Sequence, residues 1–238
     1  MLLFKEEEHK KFIEYFNIKK EPGDYEKALL KKVKLYIPFL VLFPGILFVG
    51  IGNSLSMNTC HKDSDIDLFI ITKQKRLWLV RFFVTLYFFL LGQRKTEKKH
   101  AGKFCLSFFI AEESMNFKKI SLEKDIYLFF RILYMKPLID INDSYKKFIL
   151  ENKKWCNFDA FEEIIENNKN YILVKKDKKG KDGIFGNLIE KIIKRIWLPK
   201  TLRSSQRLGN PFGLIIDENM LKFHNDDKRK IIKDDLLA

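Results

Sequence analysis

Up to Glu21 the chain is dense in charge, with apolar residues at helical spacing, which predicts a charged helix ending near Glu21-Pro22-Gly23. Asp24 is placed to cap a second helix over 25–40, which must stop before Pro44-Gly45. The pattern then changes period. Ile46–Ile51 (ILFVGI) is a short apolar run of β type, and a polar loop over 52–64 separates it from a β-branched run, DIDLFIIT, at 65–72. An almost wholly apolar helix is predicted over 77–91 with Gly92 as its stop. After a basic linker, 93–103 (QRKTEKKHAGK), Phe104–Ala111 reads as another buried strand.

Beyond it the pattern is helical, over 123–135, 143–153 and 158–168. A Lys/Gly-rich break at 175–183 precedes two further helical stretches, 187–198 and 226–236, with a Gly/Pro-rich joint at 208–213. Strands alternating with helices, then helices alone, predict an α+β fold. The expected division is a small mixed sheet with flanking helices over 24–155, and a helical C-terminal extension over 156–238 packed on it.

Two apolar stretches bear on membranes. Residues 36–52 are interrupted by Pro38 and Pro44-Gly45, and 77–91 is about 15 residues long and carries Arg81, whereas a spanning helix needs ~20. A helix buried against a sheet is the simpler reading of 77–91, with peripheral membrane contact through its aromatic side chains as the less favoured one. The start of the chain has no continuous apolar stretch of the secretory kind. Cys60, Cys105 and Cys156 are odd in number with no CxxC spacing, so disulfides and a Cys-based zinc site are not expected and a cytoplasmic location is.

The net charge of +14 invites an anionic partner. It is discounted because 37 of the 45 basic residues are Lys, while phosphate-gripping surfaces favour the planar fork of Arg.

The segment that carries chemistry is 50–72, GIGNSLSMNTCHKDSDIDLFIIT. Asp65 and Asp67 are two apart in a predicted strand, so both carboxylates point to one face. Paired in this way they repel unless a cation lies between them, and an oxygen-rich site of this kind suits Mg²⁺ held with substrate phosphates. Upstream, the small-residue turn Gly52-Asn53-Ser54 offers backbone N–H groups and a hydroxyl to phosphate oxygens.

This arrangement resembles the DNA polymerase β-like nucleotidyltransferases, whose signature is Gly-Ser or Gly-Gly, a spacer, then Asp-hydrophobic-Asp on the next strand. The matching positions are Asn53-Ser54 and Asp65-Ile66-Asp67, with LSMNTCHKDS between them. Further runs, RLWLVRFFVTLYFFLLG, KFCLSFFIAEES, DIYLFFRILYMKPLID and the late FHNDDKR, resemble uncharacterised bacterial and archaeal members.

The resemblance implies transfer of a nucleoside monophosphate from an NTP to an acceptor, dependent on Mg²⁺ or Mn²⁺. Asp65 and Asp67 are then the catalytic, metal-binding residues, and Gly52, Asn53 and Ser54 bind phosphate. Arg76, after the catalytic strand, is a candidate phosphate contact, ahead of Lys73, Lys75 and Arg81. Small-molecule, protein and RNA acceptors all occur on this fold.

Two positions depart from the pattern. Asn53 stands where the signature has Gly, although Asn tolerates left-handed backbone. The third carboxylate expected on a neighbouring strand is also missing. By alternation Cys105, Ser107 and Phe109 share one face of Phe104–Ala111, and Ser107 is the expected equivalent, with Glu112, Glu113, Asp140 and Asp143 as substitutes. These departures support an alternative, a catalytically degenerate module that binds nucleotide or RNA. Ser54 has no visible partner that would make it a nucleophile. His61 beside Cys60 reads as a loop detail, the three Trp residues as core anchors, and KKDKKGKDG as a solvated loop.

Overall fold

The structure, a computed structural model, describes residues 1–177, 184–207, 209, 213–223 and 227–238. The chain opens with β1 (Leu2–Leu3), α1 (Glu6–Phe16) and α2 (Asp24–Tyr36), then a 3-10 turn at Ile37–Leu42. The motif region follows as β2 (Ile46–Ile51), α3 (Asn53–Ser56) and β3 (Ile66–Thr72). Next come α4 (Leu77–Leu90), β4 (Phe104–Ala111), α5 (Ile126–Leu133), β5 (Lys136–Ile141) and α6 (Ser144–Lys153). The remainder comprises β6 (Cys156–Asn157), α7 (Glu162–Asn168), β7 (Val174–Lys176), α8 (Ile184–Arg207), β8 (Leu214–Ile216), β9 (Met220–Phe223) and α9 (Arg229–Leu237).

Seven strands form one mixed sheet in the order β7-β5-β2-β3-β4-β9-β8, while β1 and β6 pair separately. β3 runs antiparallel to β2 and parallel to β4, so the starts of these two central strands lie side by side. The fold is therefore α+β with a mixed sheet, as the pattern predicts. The C-terminal third is not helices alone, because it adds β7 at one end of the sheet and β9 and β8 at the other. The break at 175–183 falls mostly outside the described residues, as does most of the joint at 208–213.

Alternation along the strands feeds two apolar clusters, one on each face. Phe48, Phe69 and Ile71 join Phe12, Phe129, Phe130 and Phe148 on the face covered by α1, α5, α6 and α9. Val49, Leu68 and Ile70 join Leu29, Val33, Trp78 and Phe88 on the face covered by α2 and α4. On the first face Phe69 packs 5.0 Å from Phe108 and 5.3 Å from Phe148, tilted rather than face to face, as ring quadrupoles prefer.

α4 has no side-chain cap of its own. Instead Glu190 of α8 accepts hydrogen bonds from Trp78 N (3.0 Å) and Leu79 N (2.7 Å), so α8 supplies the acceptors that the first turn of α4 lacks. Arg81 is enclosed by the same packing, 4.4 Å over the Phe223 ring and 5.4 Å over Trp78. Among the described residues no helix is long and apolar enough to cross a membrane.

Candidate active site

Asp65 immediately precedes β3, and Asp67 is its second residue, on the face shared by Phe69 and Ile71. Across the parallel pair, Asp67 is in register with Cys105. One ligand atom from each of Asp65, Asp67 and Cys105 lies within 4.8 Å of the others. Asn53 and Cys105 both favour the charged form of the Asp67 carboxylate. Burial, and then the charge of Asp65, nevertheless push the Asp67 pKa up. Burial and the two carboxylates likewise push the Cys105 thiol far up, so it is protonated at neutral pH.

The register explains why Cys105, rather than Ser107, stands beside Asp67. It slips between Asp67 and Phe69: Phe69 pairs with Phe108, where an unbroken ladder would pair it with Ser107. A bulge of this kind reverses parity downstream. Phe108 and Ile110 face the site side, and Phe109 packs into the opposite cluster, which corrects the expectation that Cys105, Ser107 and Phe109 share a face. Ser107 still lines a cavity of about 20 Å³ with Gly52, Asn53, Asp67 and Arg131.

None of the acidic substitutes is among the residues gathered at this end. Glu112 accepts from Gln74 N (3.1 Å) beyond the far end of β3, and Glu113 follows it in the same short turn. Asp140 pairs with Phe48 in the ladder and accepts from Tyr145 N (3.0 Å). Since Phe48 is opposite Ile71, Asp140 lies about 13 Å along the sheet from the level of Asp67. Asp143 is 2.8 Å from Lys175.

Gly52 bonds back to Asp67 O (3.0 Å) through its amide, which holds the turn against β3. Asn53 adopts φ 55°, the left-handed conformation the sequence allows it, and its Oδ1 is buried without a hydrogen-bond partner among the described residues. The Ser54 hydroxyl accepts from the Cys60 thiol at 3.6 Å, and His61 Nδ1 accepts from Asp63 N at 3.3 Å, a local loop contact.

Arg76 does not belong to this site. It follows the far end of β3, about 17 Å or more from Asp67 at strand rise. Its Nη1 donates to Lys75 O and Asn187 Oδ1, both at 2.6 Å. The side chain is wedged between two glycines: a Cβ on Gly45 (φ +92°) would meet Arg76 Cβ at 2.7 Å, and one on Gly186 would meet its Nη2 at 2.7 Å. It joins the β3–α4 turn to α8, away from the carboxylates.

Three sets of residues enter the site that local periodicity and spacing do not place there. Lys95, from the basic linker, lies with its Nζ 2.5 Å from Asp65 Oδ2. The linker folds back so that Lys95 N bonds Phe104 O (2.9 Å) and Gly102 N bonds Ser64 O (2.8 Å), which fixes Lys95 beside the carboxylates.

Arg131 of α5 lines both the small cavity at Asp67 and a neighbouring cleft of about 370 Å³, whose wall also includes Asn53, Ser54 and Thr59. Its charged lining is otherwise largely cationic: Lys222, Lys228 and Arg229, with Asp227 among them. Lys222 Nζ is 3.2 Å from Asp227 Oδ2, and Arg229 bonds Asp227 (2.8 Å) and the fully buried Asp125 (2.9 Å).

Burial, then the neighbouring Arg229 charge, pull the Lys222 pKa down to about 8. Burial pushes the Asp227 carboxyl up, but hydrogen bonds from Arg229 and the Lys222 charge outweigh it and hold Asp227 well below the usual carboxylate range. The site thus has an acidic end, with Asp65, Asp67 and their own ammonium, and a basic cleft that opens at the Asn53-Ser54 turn. No known protein-family model, curated protein or solved structure matches the chain.

Proposed function

We propose that the chain is a nucleotidyltransferase that moves a nucleoside monophosphate from an NTP to a hydroxyl-bearing acceptor. The single observation that carries this reading is the junction of the two ends: paired carboxylates on one strand edge, and beside them a cationic cleft that begins at Asn53 and Ser54. A nucleoside triphosphate needs both, since its phosphates carry several negative charges and its reacting phosphorus must lie near a cation-holding pair.

The donor set fits Mg²⁺ or Mn²⁺ in part. Asp65 and Asp67 offer the hard oxygens that Mg²⁺ takes, with phosphates and water completing its shell, whereas a protonated Cys105 thiol is a poor ligand for it. Such an ion, held by Asp65 and Asp67, would neutralise phosphate charge and polarise the α-phosphorus.

Around it the chain's own groups have separate tasks. Arg131, Lys222 and Ser54 hold the outgoing phosphates, and the 52–54 turn fixes their register against Asp67. The acceptor oxygen forms a bond to the α-phosphorus, the bond to the bridging oxygen breaks and pyrophosphate leaves. The acceptor's proton passes to water, since Asp65 and Asp67 are both committed to holding the cation.

A second reading is supported by a specific observation. Cys105 stands in register where a further acid would complete the site, and Lys95 already balances Asp65. In that reading the fold binds nucleotide or RNA without transfer.

The two readings separate when purified protein is incubated with each α-labelled NTP, Mg²⁺ or Mn²⁺ and cell extract. Label transferred by the wild type and lost in both Asp65→Asn and Asp67→Asn supports transfer. NTP binding without transfer supports the binding module. Full transfer by Asp67→Asn removes the assigned roles.

A further inference from the structure

We propose that the outer face of α4, together with the adjoining Ile37–Leu42 turn, docks this protein peripherally on an anionic lipid surface. Leu42 is 74% exposed, Leu90 72%, Phe89 64% and Phe39 55%. Large apolar side chains so exposed and so close together are uncommon on a face that meets only water.

They belong to one surface. Phe43, next to Leu42, packs 5.9 Å from Phe83 and 5.7 Å from Tyr87, and Tyr87 donates to Tyr36 O at 2.9 Å. The turn is thereby held along the flank of α4, which buries Val84 and Phe88 against the sheet and turns Phe89 and Leu90 outward.

Charge identifies the occupant. No acidic residue occurs between Lys27 and Lys62, or between Leu68 and Thr96. Lys31 and Lys34 are exposed on the last turns of α2, one to two turns before Phe39, and Arg94, Lys98 and Lys99 are exposed just beyond the end of α4, with Glu97 the one acid among them. Lys32 Nζ donates to Gly102 O (2.6 Å), which ties α2 to the linker, and Lys103 Nζ donates to Gly92 O (2.7 Å), which closes the linker back on the end of α4.

An apolar patch with a basic rim is the surface that inserts side chains among acyl chains while its cations meet anionic headgroups. A second copy of the chain fits poorly, since a two-fold contact would set this rim against itself. α4 is 14 residues long, about 21 Å of helix against a hydrocarbon core of about 30 Å, so the contact is peripheral.

The test uses the full chain and leaves its charge unchanged. Wild type and a variant carrying Phe39→Ser, Leu42→Ser, Phe89→Ser and Leu90→Ser are sedimented with vesicles of phosphatidylcholine alone or mixed with phosphatidylserine. All four sites are exposed, and circular dichroism confirms that the variant folds. Wild type is expected to partition onto the phosphatidylserine vesicles at low salt, and the variant to do so roughly tenfold more weakly or less.

Three results overturn the proposal. One is wild type that stays in the supernatant with anionic vesicles. Another is a variant that binds as well as wild type, which would assign the binding to net charge alone. The third is a lipid-free wild-type dimer, seen by sedimentation velocity and abolished in the variant, which would assign the face to a second copy.

Discussion

Replacing Lys95 by Met tests whether the chain's own ammonium competes with a divalent cation. Lys95 Nζ lies 2.5 Å from Asp65 Oδ2, with side-chain exposures of 40% and 16%. Burial pulls the Lys95 pKa down, but the hydrogen bond to Asp65 and the neighbouring negative charges together outweigh it and the net shift is upward, so the group is charged at neutral pH.

A divalent ion that uses Asp65 must displace or share with this ammonium. Fully exposed pairs contribute about 0.2–1 kcal/mol, and this one is more sheltered on the Asp65 side, so about 1 kcal/mol is a reasonable magnitude. Lys95→Met leaves two carboxylates with no internal cation and should tighten divalent binding by that amount, about fivefold in Kd. Mn²⁺ binding followed by electron paramagnetic resonance measures it without reference to catalysis. Unchanged or weaker Mn²⁺ binding in Lys95→Met would refute the idea that Lys95 and a metal share one position.

Other consequences follow from buried partners. Asp125 caps α5 by accepting from Leu128 N (2.9 Å) and also receives Arg229, so Asp125→Ala removes a cap and one of the two carboxylates that hold the buried Arg229, which keeps Asp227. A loss of about 2 kcal/mol in urea unfolding is expected. Glu190→Ala withdraws the acceptors for Trp78 N and Leu79 N and should cost about 1–2 kcal/mol, read in the same assay, and Glu190→Gln, which keeps one acceptor of the two, should also destabilise. Burial lowers both Lys136 and Lys222 to about 8, from an ordinary 10.5. Between those values the unfolded chain binds more protons than the folded one, so these groups make stability rise with pH from about 8 to about 10.5. Lys136→Met should flatten that rise, and an unchanged slope would show that Lys136 does not titrate as its burial implies.

The parts of the site legible in the sequence are those set by local periodicity. Asp65 and Asp67 are two apart in an apolar run, and Asn53 is a residue that tolerates the left-handed turn it adopts. Alternation fails at β4 because a bulge adds a residue there, and no residue type between Cys105 and Phe108 announces it. β5 is hidden because it is only six residues long and carries Lys136, Pro137 and Asp140, residue types that strands disfavour, and β8 and β9 are only three and four residues long.

The cleft is illegible for a different reason. Arg131, Lys222 and Arg229 come from separate elements on a Lys-rich chain, and only the return of β9 beside β4 brings the last two to Asn53. Lys95 reads as linker because its partner, Asp65, is 30 positions earlier and is reached only when the linker folds back on β4. Arg76 illustrates the converse: it is close in sequence to β3 yet far from the carboxylates, because a strand carries its end away from its start.

The central claim is that the carboxylate pair and the basic cleft form one nucleotide site. Isothermal titration with a non-hydrolysable NTP analogue, with and without Mg²⁺, tests it most directly. The account predicts that wild type binds more tightly with Mg²⁺, that Asp67→Asn loses this dependence, and that Arg131→Met weakens binding in either condition. No binding by wild type, or an Mg²⁺ effect that persists in Asp67→Asn, would contradict it.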